Sequence, residues 1–136
     1  MADTLSYALV ECQSGSEPDY LWASLGFSSP AVATDVIHIV VAKEVPAKCA
    51  TLGHDTVYLE RYEQGLSCYG GVEKIAVAEN FLLLDLDATG RTALDFCGPL
   101  QLTECASVSG YGQALKLFEQ MCDLHCGRAI QFARRS

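Results

Sequence analysis

The chain has 136 residues, half of them hydrophobic, a formal charge of −8 and a pI of about 4.7. That size and composition predict one compact domain, residues 1–136, with its own apolar core, and exclude a disordered chain. Such acidity excludes nucleic acid and anionic membrane as natural partners and favours a basic protein.

"LSYALVEC", residues 5–12, reads as a first strand, and "QSGSEPDY" as a loop rich in Ser, Gly, Pro and acid. "LWASLGF" suits a strand or a short helix, and "SSPAVAT" a loop or helical turn. "DVIHIVVA", residues 35–42, is β-branched almost throughout, which predicts a central strand buried on both faces. "EVPAKCATLGHD" should be irregular. "TVYLERY", residues 56–62, alternates as a strand. Val57 and Leu59 should face the core, and Tyr58, Glu60 and Tyr62 the other side.

"VEKIAVA" and "NFLLLDL" read as strands joined by a tight turn at Glu79-Asn80, with Asn80 suited to a positive φ. "DATGRTALDF" is a turn with about one helical turn, and "LQLTEC" a last strand. Residues 112–125 predict the one clear helix. Its apolar stripe is Ala114, Leu117, Phe118, Met121, Cys122 and His125; Gln113, Lys116, Glu119, Gln120 and Asp123 cover the opposite face. Gly127 stands where a C-terminal cap belongs. Strands followed by a helix predict an α+β fold, a mainly antiparallel sheet with a C-terminal amphipathic helix packed on one face.

The charge is uneven. Residues 1–127 carry six Lys and Arg against 17 Asp and Glu, a net of −11, while Arg128, Arg134 and Arg135 stand in a basic tail, 128–136, free of acid. The seven cysteines are odd in number and scattered. "MADTLSYALVEC" lacks the basic and long apolar stretches of a secretory leader, so free thiols in a reducing cytoplasm are the simplest account. No apolar run approaches the roughly 18 residues that span a membrane.

No pattern with its own chemistry stands out. "CDLHC" places Cys122, His125 and Cys126 close together, but a zinc site wants a second ligand pair, so core packing is expected and no metal. The cysteines and histidines contain no recognisable nucleophile context, and His38, inside an apolar strand, reads as a hydrogen-bonded core residue. "DLDATG" lacks the further oxygen ligands of a calcium loop, and "CYGG" and "SGYG" are not phosphate loops. The tyrosines of "YLERYEQGLSCYGG" can be cross-strand packing or a recognition face. Tyrosine gives large contact area at low entropic cost, and adjacent acid suits a basic partner.

"TVYLERYEQGLSCYGGVEKIAVAENFLLLDLD" resembles the signature segment of the immunity protein 10 family from bacterial polymorphic toxin systems. The family pattern leads from a Tyr- and Glu-bearing strand, through a Gln/Gly/Ser link, to Tyr-Gly-Gly-Ile/Val and then a strand pair with Leu-x-Leu alternation. Here those positions are Tyr58, Glu60, Gln64, Tyr69, Gly70, Gly71 and Val72, followed by "LLLDLD". A closing helix, here "QALKLFEQM", is also typical, so the resemblance covers about residues 56–125. It implies a cytoplasmic protein that neutralises a cognate toxin domain by stoichiometric binding, without catalysis or cofactor, and the chain's acidity makes a basic toxin the expected partner. Tyr58, Glu60, Tyr62, Glu63, Tyr69 and Glu73 would then form or support the partner face, and Gly70 and Gly71 a structural turn. The alternatives are a small-molecule-binding or regulatory domain, with a pocket between sheet and helix, and a Cys/His enzyme.

Overall fold

The computed structural model describes residues 3–30, 34–45, 47–62 and 65–133. They form an α+β fold. The strands are β1 (Leu5–Ser16), β2 (Tyr20–Phe27), β3 (Asp35–Ala42), β4 (Tyr58–Arg61), β5 (Ser67–Tyr69), β6 (Val72–Val77), β7 (Leu82–Leu86), β8 (Leu100–Thr103) and β9 (Ile130–Phe132). The helices are α1 (Ala47–Ala50), α2 (Ala88–Leu94) and α3 (Tyr111–Cys122). All nine strands join one mixed sheet in the order β5-β4-β3-β2-β1-β8-β7-β6-β9. Two pairs are parallel, β1 with β8 and β6 with β9; the other six are antiparallel.

β1 belongs to both halves of this sheet. Residues 5–8 pair with β8, and from Leu9 onward the strand pairs with β2. The change of partner falls at a bulge between Leu9 and Glu11, with Val10 turned out to solvent, where an extra residue bends and twists the strand. The sheet must curl strongly. β5 and β6 stand seven strand positions apart, about 34 Å if the sheet were flat. Yet only Gly70 and Gly71 join Tyr69 to Val72, a reach of at most about 11 Å.

Alternation decides which side is the core. Leu21, Ala23, Leu25 and Phe27 of β2, Ile37, Ile39 and Val41 of β3, Leu59 of β4 and Leu82, Leu84 and Leu86 of β7 are all buried. α3 lies against β1, β2 and β9 and buries Tyr111, Ala114, Leu117, Phe118 and Met121. The Tyr111 hydroxyl donates to the carbonyls of Ala78 (2.6 Å) and Phe81 (3.2 Å), tying the start of α3 to the β6–β7 hairpin.

Several expectations are corrected. β3 is buried on one face only, because Val36, His38, Val40 and Ala42 lie half-buried on the other. The "QSGS" of the expected loop extends β1 to Ser16, and "LWASLGF" is strand. Residues 47–50 form a helical turn where irregular chain was expected. Asn80 does not take a positive φ. Instead its side-chain oxygen accepts from the Ala106 amide at 2.9 Å. α3 ends at Cys122 with Asp123 as its cap, so Gly127 is not the cap but belongs to a 3-10 turn, His125–Gly127. Cys122 lies half-buried against the core, as expected, but His125 is exposed and lies off the apolar stripe. β8 is not the last strand: β9 follows α3, within the segment read as a basic tail. No helix among the described residues is long and apolar enough to cross a membrane.

Candidate functional site: the outer face of β2–β5

The solvent side of the curled sheet carries two side-chain rows. In the first, register places Tyr69, Tyr58, Val40, Trp22 and Gly15 opposite one another across β5, β4, β3, β2 and β1. The second runs Ser67, Glu60, His38, Ser24 and Gln13 across the same strands. One row is therefore aromatic and apolar, and the other polar. Cross-strand neighbours on one face stand close enough to pack, which is how five strands build a single surface.

Local contacts fix these side chains. The Tyr58 and Tyr69 rings pack at 5.0 Å between centroids, and His54 stacks on Tyr69 at 4.3 Å. The Tyr58 hydroxyl donates to Glu60 Oε1 at 2.9 Å. Burial, with Glu60 beside it, holds that phenol above its ordinary value. Ser24 Oγ and His38 Nδ1 share a 2.6 Å hydrogen bond. Trp22 Nε1 donates to Glu17 at 3.0 Å, and the indole lies over Gly15, where a Cβ would stand 2.8 Å from it. His38 is thus hydrogen-bonded as expected, but on the outer face rather than in the core.

Of the residues read from sequence as partner-binding, Tyr58, Glu60 and Tyr69 come together here. Tyr62 stands one residue beyond β4 with φ 27°; it is exposed, and the Arg61 guanidinium lies 5.5 Å from its ring. Glu63 lies outside the described residues. Glu73 lines a separate groove, with Gly70, Val72 and Arg128. Sequence reasoning missed Trp22, Val40 and Ser24, which the pairing of β2 and β3 with β4 brings to the same face.

Gly70 and Gly71 both adopt left-handed conformations, φ 71° and 73°. Their surroundings differ. A Cβ on Gly70 would meet nothing closer than Thr56 Oγ1 at 3.5 Å, whereas one on Gly71 would stand 2.8 Å from both Cys68 Sγ and Gly90 Cα. Conversely, a Cβ on Gly90 would overlap the Gly71 carbonyl. α2 therefore seats on the glycine link backbone to backbone. Asp87 caps that helix by accepting from the Gly90 amide at 2.9 Å, which gives this carboxylate of "DLDATG" a structural task.

Beneath the same strand lies a buried ion pair. Arg61 Nη2 stands 2.7 Å from Asp35 Oδ2, and its Nη1 donates to the carbonyls of Leu94 (3.0 Å) and Asp95 (2.6 Å). Its guanidinium carbon sits 3.9 Å from the Phe96 ring centroid. An open hollow of about 670 Å³ adjoins it, lined by Leu5, Tyr7, Arg61, Arg91 and Phe96 among others. Arg61 is committed to Asp35 and two carbonyls, so its role there is architectural.

The cysteines are all free thiols. Burial is the main cause that pushes Cys12 and Cys105 from 9.0 up to about 11, and it also raises Cys68, Cys122 and Cys126. A raised thiol is a poorer source of thiolate, the opposite of an activated nucleophile. Among the described residues no three metal-ligating side chains converge. The pH consequence follows from the direction. The folded state holds the Cys12 and Cys105 protons more tightly than the unfolded chain, so their contribution is complete below pH 9. It is lost as pH rises from 9.0 through about 11. Urea midpoints should therefore fall between pH 8.5 and pH 10.5 (roughly the window those values set), and Cys105→Ala should flatten the decline. An unchanged slope in the variant would exclude Cys105 as a source.

The fold and this face define a class: α+β domains whose curled sheet keeps its core on one side and presents a patterned surface on the other. Within that class, a family profile described as Immunity protein 10 matches residues 12–109, and the chain belongs to that family. The matched span runs from the second half of β1 through β8. It reaches into N-terminal strands where the sequence reading placed no resemblance, and it ends before α3. No curated protein and no solved structure matches the chain.

Proposed function

We propose that the protein is an immunity protein that neutralises a cognate bacterial toxin domain by stoichiometric binding in the cytoplasm, without catalysis. The supporting observation is the family membership together with the outer sheet face, where an aromatic row runs beside a polar one carrying Glu60. In this reading α3 covers the inner face of the sheet and leaves the outer face to the toxin. A basic toxin domain suits the net −11 of residues 1–127. An acidic inhibitor on a nuclease-type toxin would occupy the path of the nucleic acid. Tyr58, Glu60 and Tyr69 are the anchors, with Trp22 extending the row and exposed Tyr62 at its edge.

Charge sets association and buried rings set dissociation. Against a cognate toxin domain, Glu60→Lys should slow association several-fold and weaken its salt dependence. Tyr69→Ala should speed dissociation roughly tenfold or more, the scale of an interface hot spot. Stopped-flow kinetics at two salt concentrations, with a thermal melt of each variant, make the test. Wild-type kinetics in every folded variant would move the interface to the exposed face of α3, at Lys116, Glu119, Gln120 and Asp123.

A further inference from the structure

The outer face is not flat. Tyr20, Trp22, Val40, Tyr58, Glu60 and His38 bound a groove of about 250 Å³ along β2–β4, which Ser24 also lines. That is smaller than the roughly 300–1,000 Å³ of ordinary small-molecule pockets. It has the scale of one long side chain. We propose that this groove is the receptor for a single arginine side chain of the partner, an assignment that rests on the binding reading above.

Three aromatic rings contribute to so small a groove, and ring faces attract cations. Two carboxylates stand with them. Glu60 lines the groove, oriented by the Tyr58 hydroxyl on its Oε1; a carboxylate accepts from several donors, so that bond does not exhaust it. Glu17 holds the indole nitrogen of Trp22 at 3.0 Å and adds negative charge beside the ring. No lysine or arginine lines the groove. An anionic ligand would meet Glu60 and an acidic protein, while an apolar one would leave Glu60 without a counter-charge. Arginine suits the site better than lysine. Its planar guanidinium stacks on aromatic faces, is weakly hydrated, and presents a fork of donors to a carboxylate.

The groove carries its own reporter, because Trp22 is the chain's one tryptophan. Titrating the full chain with N-acetyl-arginine amide should change Trp22 emission saturably, with half-saturation at about the millimolar level expected of a lone side chain. The uncharged citrulline analogue should give no saturable change. Glu60→Gln, which keeps the shape, should weaken the arginine response at least about fivefold, and Tyr58→Leu should weaken it comparably. Amide shifts confined to β2–β4 would place the probe independently of fluorescence. Equal responses to arginine and citrulline, no saturable response up to the solubility of the probe, or an arginine response untouched by Glu60→Gln would overturn the assignment. The toxin separates the two readings. If it binds and its affinity survives Glu60→Gln, the arginine receptor is wrong and the immunity reading stands. If it does not bind while the arginine probe does, the reverse holds.

Discussion

Gly90→Val will destabilise the fold by more than about 3 kcal/mol, with Gly71→Val close behind, whereas Gly70→Ala will cost only about 1 kcal/mol. The contrast comes from what each Cβ would meet. At Gly70 a side chain suffers an unfavourable φ of 71° but finds room beside Thr56. At Gly71 the φ is equally unfavourable, and the space already holds Cys68 Sγ and the Gly90 backbone. At Gly90 the obstacle is the Gly71 carbonyl, which cannot swing aside without moving the link between β5 and β6. Urea unfolding of the three variants gives the order directly. Equal losses at Gly70 and Gly71, which share a left-handed φ, would show that φ, rather than close approach, dominates.

Arg61→Ala is the second severe change, with an expected loss of about 3–5 kcal/mol. Removing the guanidinium leaves Asp35 charged in a fully buried position and strips the Leu94 and Asp95 carbonyls of a donor. It also removes the cation from the Phe96 ring. The pair itself can be nearly neutral for stability, because desolvating two ions offsets most of their attraction. So Arg61→Met combined with Asp35→Leu should recover much of the loss. A double variant as unstable as Arg61→Ala would mean that the carbonyl contacts, not the orphaned carboxylate, carry the effect.

How far these features were legible in the sequence depends on the range of the interaction behind them. β4 was legible because Val57 and Leu59 alternate with Tyr58 and Glu60, and alternation is local. The rest of that pattern was Arg61, which falls in the inward series and is buried. Its partner is 26 residues away, and a buried charge has no local signature. β3 misled for a related reason. Val36 and Val40 are β-branched and apolar, yet they serve the outer face, where a side chain packs on its cross-strand neighbours instead of a second layer. "QSGS" looked like a loop because Gly15 and its serine neighbours disfavour strand. The Trp22 indole restores cover over Gly15, a compensation visible only once β1 and β2 are paired.

The candidate site was half legible for the same reason. Tyr58, Glu60 and Tyr69 lie on strands that are consecutive in the chain, so one short stretch announces them. Trp22, Val40 and His38 join them through the register of β2 and β3 with β4. A sequence without that register cannot show which of the scattered aromatics are neighbours. β9 escaped because three residues, Ile130–Phe132, are too few for any period to show.

The double allegiance of β1 also sets the order in which the molecule can be completed as it leaves the ribosome. The meander from the second half of β1 to β4 pairs neighbours in sequence and can form while synthesis continues. The first half cannot. Leu5 pairs with Leu100, 95 residues further on, and its edge stays unpaired until β8 has emerged. At roughly 5–20 residues per second that wait lasts on the order of 5–20 s, during which the start of the chain presents an open, partly apolar strand edge. Assembly of the β1–β8 half therefore waits for β8. The proposed binding face, built on the other half, is the part that can be ready first.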